Sequence, residues 1–124
     1  MWRPIKSFLT SIKKAEKKCA RAELKAIRAS KNQRDCFDEY LMVLNESEDL
    51  DARISEATED DAPHLAEWKA ELDTKEARVL ALRAKCARLR EAEEKADKDE
   101  DDAIDNLERI RDDYEAFKSL HGLV

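Results

Sequence analysis

The sequence predicts an all-α fold, a long two-helix antiparallel coiled-coil hairpin taking in residues 1–124. Three observations predict it. The chain carries 18 Ala and 44% charged residues but only one Gly and two Pro. Apolar residues recur at alternating steps of three and four along two long stretches. Those stretches also match each other, residue by residue, when the chain is folded back near Asp61.

The same counts exclude other classes. Beta sandwiches and barrels need turn residues every few positions, which one Gly does not supply. No apolar run approaches the ~20 residues of a membrane span, and none forms a signal-peptide core. Three cysteines, Cys19, Cys36 and Cys86, are an odd and sparse set. They fit a reducing, cytoplasmic setting better than a disulfide scaffold.

Helix one is expected over about 4–58, because Pro4 is tolerated in a first helical turn. The tip is expected at about 58–62, in Thr58-Glu59-Asp60-Asp61-Ala62, whose carboxylates suit the positive end of a following helix. Helix two is expected over about 62–121, opened by Pro63 and closed by Gly122. Asn45 and Glu48 stand at capping-box spacing and mark a candidate break in helix one.

The seam of helix one runs Ile5, Phe8, Ile12, Ala15, Cys19, Ala22, Ala26, Ala29, Gln33, Cys36, Tyr40, Val43, Ser47, Leu50, Ile54 and Ala57, with only Gln33 and Ser47 polar. The seam of helix two runs Leu65, Trp68, Leu72, Lys75, Val79, Leu82, Cys86, Leu89, Glu93, Ala96, Glu100, Ala103, Leu107, Ile110, Tyr114 and Phe117, broken by Lys75, Glu93 and Glu100. Pairing residues whose numbers sum to 122 sets Phe8 against Tyr114, Ile12 against Ile110, Cys36 against Cys86 and Ser47 against Lys75. Bulky layers meet at both ends, and small ones are shared between them. Trp2 is expected near Leu120, and Glu93 and Glu100 are expected to turn their carboxylates to solvent or to basic groups of helix one.

Charge supports the same fold. Residues 1–34 hold 11 basic and 2 acidic side chains, whereas residues 91–124 hold 5 basic and 13 acidic. An antiparallel hairpin lays one block on the other, while a parallel homodimer stacks like charges. The register suggests flanking pairs Lys25–Asp99, Glu39–Lys85, Glu46–Arg78 and Arg53–Glu71. A helix-swapped dimer would present identical layers, so self-association is left open.

Apolar residues outside the seams point to a partner. Phe37, Leu41 and Leu44 stand at i, i+4 and i+7 beside the seam, and Leu80 falls on the same side. They form either a partner-facing patch or a broadened core. Ile27 and Ile104 are scattered extras.

No catalytic, cofactor-binding or metal-binding site is expected. One Gly, at position 122, cannot form a phosphate loop, and His64 and His121 lack Cys or carboxylate neighbours at zinc-ligand spacing. The acidic run at 97–102 lacks the Gly and ligand spacing of a calcium loop and reads as a solvated face. Cys36 and Cys86 read as two small core thiols or as a redox pair. A phosphate-binding role for the basic arm competes with the acidic arm for the same charges. A membrane-surface role for Trp2, Phe8, Leu9 and Ile12 competes with the core for Phe8 and Ile12. Nucleic acid and membrane are therefore the lesser partner classes.

The stretch Leu65-Ala-Glu-Trp68-Lys-Ala-Glu-Leu72, followed by Lys75-Glu76-Ala-Arg78-Val-Leu80, resembles the Trp-containing start of the second helix in the cytosolic stalk proteins of type III secretion and flagellar export, the YscO/FliJ family. Ile12-Lys-Lys-Ala-Glu16-Lys17 is similar to their first helix. As architecture the resemblance covers most of the chain, although family members are often basic and this chain has a net charge of -6. It implies a non-enzymatic stalk or adaptor whose protein partners are a hexameric export ATPase and an export gate. A structural or scaffolding subunit of a phage or viral assembly is the alternative the coiled coil itself leaves.

Overall fold

The computed structural model describes residues 2–123. Helix α1 spans Trp2–Ser55, a short 3-10 turn spans Glu59–His64, and helix α2 spans Leu65–Leu120. The described residues contain no strand. The two helices pack as a helical hairpin.

Pro4 lies in the first turn of α1, where its missing N–H leaves no helical bond unmade. The helix then runs unbroken through Asn45–Glu48, so the expected interruption is absent. Ser47 and Leu50 are both buried there. Keeping that stripe in the seam outweighs a cap worth about 1 kcal/mol.

The tip differs from expectation. Helix α1 stops at Ser55 rather than 58, and α2 starts at Leu65 rather than 62. Thr58 is extended, at φ -104° and ψ 179°. Its N–H donates to Asp61 Oδ2 at 3.0 Å and its hydroxyl to the same oxygen at 3.3 Å. The Asp61 N–H returns to the Thr58 carbonyl at 3.0 Å. This reciprocal cap starts a tight 3-10 turn first. Pro63 therefore sits inside that turn and not in the first turn of α2.

The C-terminal end follows the sequence closely. Gly122 has φ +66°, the left-handed conformation that closes a helix without a Cβ penalty. The Leu123 N–H bonds the Lys118 carbonyl at 2.8 Å and the Gly122 N–H bonds that of Ser119 at 3.2 Å, which together satisfy two terminal acceptors.

Packing divides the chain into two compact units, Met1–Ala29 with Ala92–Val124, and Ser30–Glu91. In the first, Phe8 packs against Tyr114 and Phe117 at 5.4 and 5.3 Å between ring centres. The Cys19 thiol donates to the Ala103 carbonyl at 3.2 Å. The buried positions there are Ala15, Ala26 and Ala103, small residues that let two helix backbones come close. In the second unit the buried positions are larger: Cys36, Ser47, Leu50 and Leu82, the last fully enclosed. Cys36 Sγ lies 2.7 Å from Cys86 Sγ. The contacts Phe8–Tyr114, Cys19–Ala103 and Cys36–Cys86 all have residue numbers that sum to 122, the expected register.

All residues of both expected seams are buried or half-buried, including the polar Gln33, Ser47, Lys75, Glu93 and Glu100. Neither Glu93 nor Glu100 forms an ion pair among the described residues, and no buried side-chain polar atom there lacks a partner. Their carboxylates reach water. Trp2 and Leu120, expected to lie near each other, are both exposed. They lie beyond the last aromatic layer, where no third element closes over them.

The four expected flanking pairs do not form, and one displacement explains most of this. Lys75 sits in the seam, nearer Glu46 than Arg78 is, and takes Glu46 at 2.9 Å. Arg78 turns instead to Glu39 at 2.5 Å, which leaves Lys85 without its expected acid. Glu71 is drawn to Lys75 at 3.9 Å, and Arg53 lies over the Trp68 ring at 5.5 Å. Asp99 pairs within its own helix with Lys95 at 3.6 Å. Glu16 and Arg111 form a cross-helix pair at 3.5 Å that the register did not suggest. All are solvated, so they bear on register more than on stability.

Candidate docking face

A heptad assigns each residue to a position a–g, with the seam at a and d. In α1 the seam residue Cys36 is at d, which puts Phe37 and Leu44 at e and Leu41 at b. In α2, Leu82 is at d, which puts Arg83 and Arg90 at e and Leu80 and Ala87 at b. In an antiparallel pair the e positions of the two helices lie on one flank, so all these residues border the same side of the Ser30–Glu91 unit. The structure bears this out at Phe37, which lines a shallow groove of about 270 Å³ together with Gln33, Tyr40, Arg83, Cys86, Ala87 and Arg90. The Phe37 and Tyr40 rings lie 6.2 Å apart.

The four expected patch residues fare differently. Phe37 is 42% exposed, Leu41 39% and Leu80 66%. Leu44 is half-buried and so broadens the core of the hairpin as well as edging the patch. The reading as patch and the reading as widened core thus divide by residue. Leu80 shares a helix face with Arg83 and Ala87, three and seven residues on.

Sequence reasoning named the apolar members and missed the basic ones. From Ala77 to Arg90 the chain has Arg78, Arg83, Lys85, Arg88 and Arg90 and no acidic residue. Among the described residues only Arg78 of these forms an ion pair. That run of one sign in an acidic chain was the available signal. The face is therefore an apolar strip edged by Arg83 and Arg90, which form no ion pair among the described residues.

Elsewhere both histidines are occupied in packing. His64 stacks on Trp68 at 5.8 Å and His121 packs on Phe117 at 4.4 Å. Among the described residues no three His, Cys, Asp or Glu groups come together as metal ligands. Among the described residues no helix is long and apolar enough to cross a membrane. Within the Met1–Ala29/Ala92–Val124 unit, Lys18, Arg21 and Lys25 share a shallow cleft with Asp99 and Asp102, so the basic arm already faces carboxylates.

Burial pushes the Cys86 thiol up to about 11 from 9.0, with the bond to Cys36 and its charge adding to the effect, Lys85 opposing it and Glu39 reinforcing it. The folded chain thus holds this proton more tightly than the unfolded one. The resulting stability is fully present below about pH 9 and is lost as pH rises through about 11. Urea unfolding at about pH 8 and about pH 10.5 measures it: wild type should lose more stability between the two than Cys86→Ala does.

No protein-family model matches the chain, and neither does any curated protein or solved structure.

Proposed function

We propose that the chain is a non-enzymatic coiled-coil protein that acts through protein–protein contact, as a cytosolic stalk or adaptor of a type III-like export apparatus that meets a hexameric ATPase and an export gate. One observation carries the contact part of this reading: Phe37, Leu41 and Leu80 are left exposed on one flank by a hairpin whose seams are already filled. A contiguous apolar strip exposed on an otherwise highly charged chain is the kind of surface that marks a protein contact. The resemblance of Leu65–Leu80 and Ile12–Lys17 to stalk proteins supports the finer part.

Leu41→Asp tests the reading. Leu41 points away from the seam, so the charge should leave helicity by circular dichroism unchanged while partner recovery in affinity purification falls at least tenfold. Co-purification of a ring ATPase or an export-gate protein supports the stalk assignment. Recovery of capsid, tail or other repeated structural proteins, or of the chain alone, replaces it with a scaffolding subunit of a larger assembly.

A further inference from the structure

We propose that Cys36 and Cys86 are an oxidisable dithiol, a modification site at which a hydroperoxide converts two core thiols into a cross-helix disulfide within one chain. The sulfurs lie 2.7 Å apart, so closing to a bond of about 2.05 Å needs a shift of only ~0.7 Å. They come from different helices, Cys36 from α1 and Cys86 from α2, at directly facing seam positions. The bond would therefore tie residues 50 positions apart in sequence. Both thiols are free in the structure.

Access is asymmetric and sets the order of events. Cys36 is buried, whereas Cys86 is half-buried and lines the groove beside Phe37, Arg83 and Arg90. Hydrogen peroxide is small enough to enter a groove of about 270 Å³. Cys86 attacks first, as the thiolate: its sulfur bonds one peroxide oxygen, the O–O bond breaks, and the departing hydroxide takes up the thiol proton as water. The product is a sulfenic acid on Cys86. Cys36 then attacks that sulfur, the S–O bond breaks, and the hydroxyl leaves as a second water carrying the Cys36 proton. Two thiols are oxidised to one disulfide and one peroxide is reduced to two waters. The high thiol pKa of Cys86 keeps the thiolate scarce, so the first step is slow and responds to sustained rather than brief oxidant.

Cys19 provides an internal control. Its thiol is engaged with the Ala103 carbonyl in the other unit and has no sulfur partner among the described residues. The full chain, at low micromolar concentration, is exposed to hydrogen peroxide, quenched with an alkylating reagent and digested without reduction. The expected result is a monomer that has lost two hydrogens, a cross-linked peptide joining Cys36 to Cys86, and an alkylated Cys19. The linked form should also unfold at a higher temperature than the reduced form, and reductant should reverse the shift. Cys19→Ser should leave the cross-link unchanged. Three outcomes would overturn the proposal: Cys36 and Cys86 both recovered alkylated, over-oxidation of Cys86 to sulfinic acid without cross-linking, or a cross-link found only in covalent dimers. Because the mapping is done on the wild-type chain, it does not depend on any variant folding.

Discussion

Truncating Leu82 to alanine is expected to cost about 3 kcal/mol of stability, the largest single loss available in the Ser30–Glu91 unit. Leu82 is 0% exposed, the one large side chain in the described molecule that is fully enclosed. Two helices bury only a stripe between them, so most seam residues keep an edge in water and return less when cut back. Leu82 has no such edge, and its removal leaves a void between α1 and α2 that only helix movement can fill. Loss of about 3 kcal/mol in a domain of this size lowers the melting temperature by about 10 °C. Leu80→Ala, two residues away and 66% exposed, should change it by less than about 0.5 kcal/mol. Thermal melts of both variants by circular dichroism decide the point: equal losses would mean that the seam does not pass through Leu82.

Ala103→Leu should also be damaging, for the opposite reason. Ala103 is 3% exposed and its carbonyl accepts the Cys19 thiol at 3.2 Å, so the facing helix is already in contact there. Leucine adds three carbons at a position that is already buried against the facing helix at Cys19. The helices must separate or the side chain must leave its rotamer, at about 1–3 kcal/mol. Leucine is the better seam residue in an average coiled coil. A stabilised Ala103→Leu variant in the same melts would therefore show that the alanine layers are loosely packed.

The sequence was most legible where burial depends on period alone. Glu93 and Glu100 look wrong for a core, yet both are half-buried because their place in the three-four rhythm puts them there. The register was legible because bulky and small layers alternate unevenly, so that only one alignment sets Phe8 on Tyr114 and Cys36 on Cys86. The ion pairs were not legible. They depend on side-chain reach, and Lys75 in the seam redirects Glu46, Arg78 and Glu71 in turn. The tip was half legible: its run of carboxylates marked the approach to a following helix, but the reciprocal cap between Thr58 and Asp61, and the tight turn it starts, did not stand apart from the first turn of α2. On the docking face, periodicity singled out Phe37, Leu41, Leu44 and Leu80, whereas the basic edge at Arg83 and Arg90 required counting charge over a short window.

The antiparallel pairing of the two helices also fixes an order of assembly. Glu46 and Lys75 are 29 residues apart, Cys36 and Cys86 are 50, and Cys19 and Ala103 are 84. Closing the widest of these loops directly, rather than the narrowest, costs about 1 kcal/mol more in chain entropy, before any packing offsets it. Once the contacts next to Thr58 and Asp61 exist, each further layer closes only a few free residues. The chain therefore zips from its turn outward. The Ser30–Glu91 unit forms early through short loops, the alanine layers of the other unit follow, and the aromatic layer at Phe8, Tyr114 and Phe117 closes last and opens first. Slow exchange of amide hydrogens belongs around Leu82, and the first to exchange belong near Phe8 and Phe117.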